Sequence, residues 1–283
     1  MTQYTCFDVQ INDHVAHIKL IRPEKRNSMI PEFWAELPAI VAEIDANAHA
    51  RVIVISSTGP HFTAGLDLKA FLPTETDNPD PKHHLASGAK FYEHVKVLQA
   101  AFSSLENCRS PVLAAIQGGC IGGGIDMVTA CDMRYATDDA FFILQETNLA
   151  MTADVGTFPR LLKLIPEGVA REIAYTGRRF EAAEAKANGL LNETFADAET
   201  MLTQVMAIAA EIARKAPLAV AGCKRIINYA RDHSTADTLD YIGIWNASML
   251  QTEEVMEAIG ANAENRAGQF AALPTLASRH VEK

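Results

Sequence analysis

PVLAAIQGGCIGGGIDMVTACD, residues 111–132, is the stretch from which the rest of the chain can be read. Val112–Ile116 is a short apolar run introduced by Pro111, as a strand buried on both faces would be. It ends at Gln117. Gly118-Gly119, Cys120-Ile121 and Gly122-Gly123-Gly124 follow, and a helix carrying Met127, Val128 and Ala130 is expected to start there. Consecutive glycines let a ligand approach the backbone closely and leave its N–H groups bare. The first N–H groups of a helix have no internal partner, and the macrodipole adds partial positive charge. Such a junction can hold an anion or a developing oxyanion. The alternative is a tight strand-to-helix turn with no room for side chains. Two nucleotide cradles fail on spacing: the glycines do not fall as GxGxxG, and no Gly-Lys-Ser/Thr occurs.

Upstream, His61-Phe62-Thr63-Ala64-Gly65-Leu66-Asp67-Leu68 follows a β-branched run at Val52–Ser56. Ala64-Gly65 is small enough for a second close backbone approach, and Asp67 could cap a following helix. Downstream, Ala140–Leu144 reads as a third buried strand, with Glu146 just beyond it. Three acids then stand at glycine-rich or strand-end positions. Asp126 falls in the first turn of the glycine-led helix, where an acid also simply complements the dipole. Glu146 could be a solvated strand-end charge. Asp154 could be the N-cap of a helix carrying Leu161 and Leu162. Taken together, carboxylates that share a pocket are a common source of tuned acids and bases.

The chain opens as a hairpin, Tyr4–Ile11 and His14–Ile21 around Asn12-Asp13. A helix follows from Pro31 with apolar positions at Trp34, Leu37, Ile40, Val41 and Ile44, although Pro38 threatens to break it. Pro73–Pro81 is proline-rich and reads as a surface loop. Helices are expected over Glu181–Asn188, Glu199–Lys215, Leu218–Arg231, Thr235–Leu250 and Glu253–Phe270. The organisation is a βα core over residues 1–195 and a helical region over 196–283.

The 283 residues are 48% hydrophobic and 21% charged, as in an ordinary globular protein. A net charge of −10 argues against a nucleic-acid partner. No apolar stretch approaches the ~18 residues of a membrane span, so no membrane partner is expected. Cys6, Cys108, Cys120, Cys131 and Cys223 are odd in number and widely spaced, which suits a reducing compartment better than a disulfide framework. Neither a secretory leader nor a peroxisomal address is read at the ends, and a cytoplasmic protein is the expectation. No metal-ligand spacing and no GxSxG occur.

The sequence resembles the enoyl-CoA hydratase/isomerase (crotonase) family, and within it the Δ3,5-Δ2,4-dienoyl-CoA isomerases. The likeness runs from about Tyr4 to about Phe270. It is most specific at FTAGLDL (Phe62–Leu68), GGCIGGGIDMVTACDMRYAT (Gly118–Thr137) and QETNLAMTADVGTFPRL (Gln145–Leu161). The resemblance implies an α/β fold, a spiral of repeated ββα units with a C-terminal helical trimerisation region, assembled as a homotrimer or homohexamer. It puts the two oxyanion-hole N–H groups on Leu66 and Gly123, and a backbone contact to the CoA adenine on Ala64. Gly65, Asp67 and Gly124 are the expected substrate-lining neighbours. The family's two acids fall on Asp126 and Glu146. Asp154 stands where hydratases usually have glycine, and an acid there resembles the dienoyl-CoA isomerases.

The resemblance therefore implies an isomerase acting on a 3,5-dienoyl-CoA thioester, with Asp154 as base at C2 and Glu146 as acid at C6. It leaves Asp126 to set pocket polarity. No cofactor is expected, CoA being part of the substrate. Two other readings stand beside it: an enoyl-CoA hydratase or Δ3-Δ2-enoyl-CoA isomerase, and a non-catalytic acyl-CoA-binding protein. Lys25 and Arg26 are candidates for the CoA phosphates, and Phe270 for the adenine.

Overall fold

Two strands and a tight turn open the chain in the computed structural model, which describes residues 3–71 and 84–276. Strands β1 (Phe7–Asn12) and β2 (Val15–Leu20) pair antiparallel with Asn12 opposite Val15. The turn is thus Asp13-His14, one residue beyond the expected pair, and both residues have positive φ, 47° and 65°. A two-residue turn of that hand matches the twist of the strands it joins. Helix α1 (Pro31–Asn47) starts at the expected proline and runs unbroken through Pro38. Pro38 removes one helical N–H donor, but Phe33, Trp34, Leu37, Ile40, Val41 and Ile44 are all buried along one face and hold the helix in place. The proline-rich segment Pro73–Pro81 lies outside the described residues.

The remaining elements follow a repeating path. After β3 (Val52–Ser57), α2 (Leu68–Phe71) and α3 (His84–Asn107) come β4 (Val112–Ile116), β5 (Gly119–Ile121) and α4 (Gly123–Thr129). Then come β6 (Met133–Thr137), β7 (Phe141–Ile143), α5 (Thr157–Leu161), α6 (Glu167–Thr176), β8 (Phe180–Glu181), α7 (Ala182–Ala187) and β9 (Glu193–Phe195). The first strand of each turn enters a six-stranded sheet ordered β1-β2-β3-β4-β6-β9, and the second enters a three-stranded sheet ordered β5-β7-β8. Thus β4 lies beside β6 in one sheet while β5 lies beside β7 in the other, both pairs parallel. This is a spiral of ββα units, and it stacks the loop that joins each strand pair onto the next.

Burial explains the β-branched runs. In β3, Ile53 and Ile55 enter the main core with Phe33, Leu37 and Phe102, while Val52 and Val54 face a second core. That second core is closed by Met201, Val205, Ala209 and Ala213 of α8 (Ala198–Ala213). A strand covered on both faces has no polar side, hence no alternation. Strand β6 was not expected, because Arg134 interrupts its apolar pattern. The Arg134 guanidinium is nonetheless buried, where it donates to the carbonyls of Leu190, Val128 and Cys131.

Three helices complete the described chain: α9 (Pro217–Ala230), α10 (Thr235–Met249) and α11 (Thr252–Ala263). The last was expected to reach Phe270. It stops seven residues earlier because Asn265 turns to φ 51° and the Arg266 guanidinium folds back onto Glu257, whose carboxylate also accepts from the Gln269 N–H. The five cysteines are free thiols, and only Cys223 is exposed.

Candidate active site

The two glycine-bearing stretches meet at the ends of β3 and β4. The Phe62 N–H donates to Gln117 O at 2.8 Å, the Thr63 N–H to Gly119 O at 3.1 Å, and the Ile121 N–H returns to Thr63 O at 3.1 Å. Residues 62–66 are therefore laced to 117–121 as a short extra rung of the small sheet. Gly65 sits where the strands close up. Its φ is +77°, and a Cβ there would lie 2.6 Å from Ile121 O, so only glycine fits.

The lacing brings the two candidate donors together. A Cβ built on Gly123 would lie 3.9 Å from the Leu66 nitrogen. Gly123 is the first residue of α4, so its N–H has no intrahelical partner. The Met29 N–H donates to Gly65 O and the Asp67 N–H to Met29 O, a pattern that leaves Leu66 N–H outside the ladder. Among the described residues neither N–H meets a backbone carbonyl.

The acids gather beside these donors. Asp126, on α4, is 0% exposed. Its Oδ1 accepts from the Thr157 N–H at 2.6 Å, so this carboxylate caps α5 from across the site. Burial pushes its carboxyl up to about 7; the Thr157 bond opposes that, and the charges of Glu146 and Asp154 add to it. Glu146 follows β7, and a Cβ at Gly122 would lie 3.4 Å from its Oε1. Burial raises its carboxyl too, and the charge of Asp154 raises it further. Asp154 is more open. Its carboxyl is also raised, chiefly by desolvation, while the charge of His94 pulls it back. Among the described residues, three buried oxygens here have no hydrogen-bond partner: Asp126 Oδ2, Glu146 Oε2 and Thr157 Oγ1.

Other expectations land differently. Asp154 does not cap α5; Gly156 occupies the N-cap position. The Asp67 carboxylate accepts from Ser28 Oγ at 2.9 Å, tying the loop to residues 26–29. Gly124 faces inward, where a Cβ would come within 2.6 Å of Thr63 Cγ2; it lets α4 pack against the 62–66 loop. Ala64 donates its N–H to Arg26 O, which sets Arg26 next to the site. Phe270 is bonded through its carbonyl to Arg51, at the opposite end of the large sheet from the acids.

One residue of the site escaped the sequence reading. Asn27, 2% exposed, donates to Thr58 O and His61 O, accepts from the Arg22 N–H, and takes Thr63 Oγ1 on its carbonyl. It pins both sides of the 58–63 loop. Nothing in a run of charged and polar residues marks which one turns inward.

The spiral of ββα units goes with a family match: residues 10–272 match the enoyl-CoA hydratase/isomerase pattern, and the chain belongs to that family. Its relatives include the "Delta(3,5)-Delta(2,4)-dienoyl-CoA isomerase, mitochondrial" of Homo sapiens, 43% identical over 256 residues that cover 89% of this chain and 77% of that one. The peroxisomal protein of the same name from Arabidopsis thaliana is 38% identical over 259 residues, covering 92% and 93%. A solved enoyl-CoA hydratase from Bacillus anthracis superimposes with a TM-score of 0.84 at 29% identity, covering 95% of this chain and all of that one.

These names overturn the cytoplasmic expectation, since the relatives are assigned to mitochondria or peroxisomes. Composition and cysteine spacing report redox chemistry, not an address, so the default had no physical footing. No described helix is long and apolar enough to cross a membrane.

Proposed function

We propose that the chain is a Δ3,5-Δ2,4-dienoyl-CoA isomerase. The observation that carries this reading is Asp154 standing in electrostatic reach of both Glu146 and Asp126, with Glu146 in turn next to Gly122, the residue before the Gly123 donor. The relatives that bear this name support it over most of the chain.

The chemistry follows from where charge must go. The Leu66 and Gly123 N–H groups polarise the thioester carbonyl. Asp154, half open to solvent and made more basic by partial desolvation, takes a proton from C2. The electron pair spreads from C2 through the diene to C6, with most of the negative charge on the thioester oxygen between the two donors. Glu146, whose carboxyl burial favours as the neutral acid, delivers a proton to C6. Double bonds at C3 and C5 become double bonds at C2 and C4, and no atom is gained or lost. C2 and C6 are too far apart for one short carboxyl group to serve both. Asp126 keeps the pocket apolar by holding its own proton up to about pH 7. Two proton transfers need no redox group or metal, and CoA enters as part of the substrate.

We also assign a homotrimer or homohexamer. Helices α10 and α11 and the link between them expose Leu239, Ile244, Leu250, Met256 and Ile259, with Leu239 and Leu250 each 64% open. An apolar surface of that extent favours burial against further copies.

Two variants test the chemistry. Asp154→Asn keeps shape but loses the base, so isomerisation should fall by roughly 10²–10⁴, and exchange of the C2 hydrogen with heavy water should fall with it. Glu146→Gln should block delivery at C6 while some C2 exchange persists. Equal loss of exchange in both would refute the division of roles.

A further inference from the structure

The loop carrying Asp154 has little regular structure of its own between residues 151 and 156. Its ends are tied to Glu146 O and to the Asp126 carboxylate, and its middle is held by α3. Gln99, Ser103 and Glu106 fall at i, i+4 and i+7, on one helical face, and all three reach the loop or its anchor. Gln99 Nε2 donates to the Asp154 carbonyl at 2.6 Å. Arg160 folds back beneath its own loop and donates from Nε and Nη2 to Glu106 Oε2 at 3.1 and 3.0 Å, and from Nη2 to Ser103 Oγ at 3.0 Å. A third donor, Nη1, faces the Gly156 carbonyl at 3.5 Å. Gly156 has φ +131°, and a Cβ there would lie 2.0 Å from Nη1, so the guanidinium fills the space under the turn. Arg160 is only 9% exposed. Burial alone would raise the Glu106 carboxyl, but Arg160 and Arg231 outweigh it and keep it ionised. Arg231 and Asn228, at the end of α9, bond Glu106 from the other side.

Glu146 is supported separately. It follows β7, whose Ile143 carbonyl takes the Gly122 N–H, and its own carbonyl takes the N–H groups of Leu149 and Met151. The two acids share one backbone link, the Met151 N–H on Glu146 O, but the Gln99 and Arg160 bonds reach only the Asp154 side of it.

We propose that Gln99 and Arg160, presented and clamped by α3, are positioning residues that aim Asp154 at the substrate without touching it. This rests on Asp154 being the base at C2. It ties the sharpest requirement of the reaction, placement of the base, to a helix face that takes no part in binding the thioester oxygen. Misplacement of a reacting group by about 1 Å can cost roughly 10²-fold in rate.

The test uses the whole enzyme with a 3,5-dienoyl-CoA. Gln99→Leu, which keeps bulk and removes the donor, should lower kcat by about ten- to a hundredfold with KM nearly unchanged, and should slow C2-hydrogen exchange in parallel. Placed on Asp154→Asn, the same change should cost little more, because the group it aims is gone. Arg160→Lys keeps a cation for Glu106 but loses the fork that reaches Ser103 and Gly156; it should behave like Gln99→Leu, and it decides the matter if that variant does not fold. A folded Gln99→Leu or Arg160→Lys enzyme with full kcat overturns the proposal, as does a Gln99→Leu penalty that carries undiminished into Asp154→Asn. A wild-type enzyme inert toward 3,5-dienoyl-CoA overturns the function instead, and the positioning role falls with it.

Discussion

Asp126 shows how one residue serves fold and site together. Its Oδ1 closes the start of α5 through the Thr157 N–H, while its Oδ2 stays unpaired in the interior. The folded carboxyl is raised from 3.8 to about 7, so the native state holds a proton that the unfolded chain releases. Stability contributed by the neutral acid is full below about pH 4 and is lost as pH rises toward 7. The shift corresponds to on the order of 4 kcal/mol once the group is fully ionised. Asp126→Asn keeps an acceptor for Thr157 without the charge. Urea unfolding should show the variant's advantage over wild type growing by about 3 kcal/mol between pH 5 and pH 8. Some slope should remain, because Glu146 and Asp154 are shifted in the same direction. An Asn variant with the wild-type slope would contradict the assigned burial penalty.

At the scale of elements, the decisive unit is the β4–β5–α4 turn laced to residues 62–66. Gly123 is the first residue of α4, a position where proline is tolerated because its missing N–H has no helical partner. Gly123→Pro therefore removes one donor to the thioester oxygen while its Cβ presses on Met29 Sδ at 3.0 Å, and a folded variant is expected to lose roughly 10²–10³ in kcat. A folded variant with full turnover would remove Gly123 from the site. On the other side of the same unit, Asn27→Ala strips a buried side chain of its bonds to Thr58, His61 and Arg22. It should cost about 2–3 kcal/mol in stability, read by thermal or urea unfolding, and should loosen the loop that carries Leu66.

For the whole molecule, α8 and the three helices beyond it play different parts. Helix α8 covers a face of the large sheet and closes the second core. Helices α10 and α11 leave large apolar side chains in water. Light scattering at micromolar concentration should return a mass of three or six chains. Leu239→Glu with Ile244→Glu should push that mass toward the single chain, since each charge would be buried unpaired at a contact. A single-chain mass for the unaltered protein would count against the assembly.

Some of this was readable from residues alone. Val112–Ile116, the glycine-led start of α4, the proline start of α1 and the helices from α8 to α10 follow from local rules: β-branched runs, cap residues and helical spacing act within a few neighbours. The acids were visible because carboxyls in glycine-rich, strand-end settings are chemically conspicuous. Where local patterning was interrupted, tertiary contacts decided. Strand β6 exists despite Arg134 because the distant Leu190 carbonyl, with those of Val128 and Cys131, satisfies the guanidinium. Helix α11 ends early because Glu257 captures Arg266 and the Gln269 N–H. Asn27, Gln99 and Arg160 were ordinary polar residues until the spiral brought their partners across 31 to 57 positions. Sequence by itself determined the strands and helices whose local patterning is uninterrupted and which side chains can do acid–base chemistry. Only the tertiary structure decided which of those groups meet, because a hydrogen bond or a shifted carboxyl depends on neighbours in space that chain order does not specify.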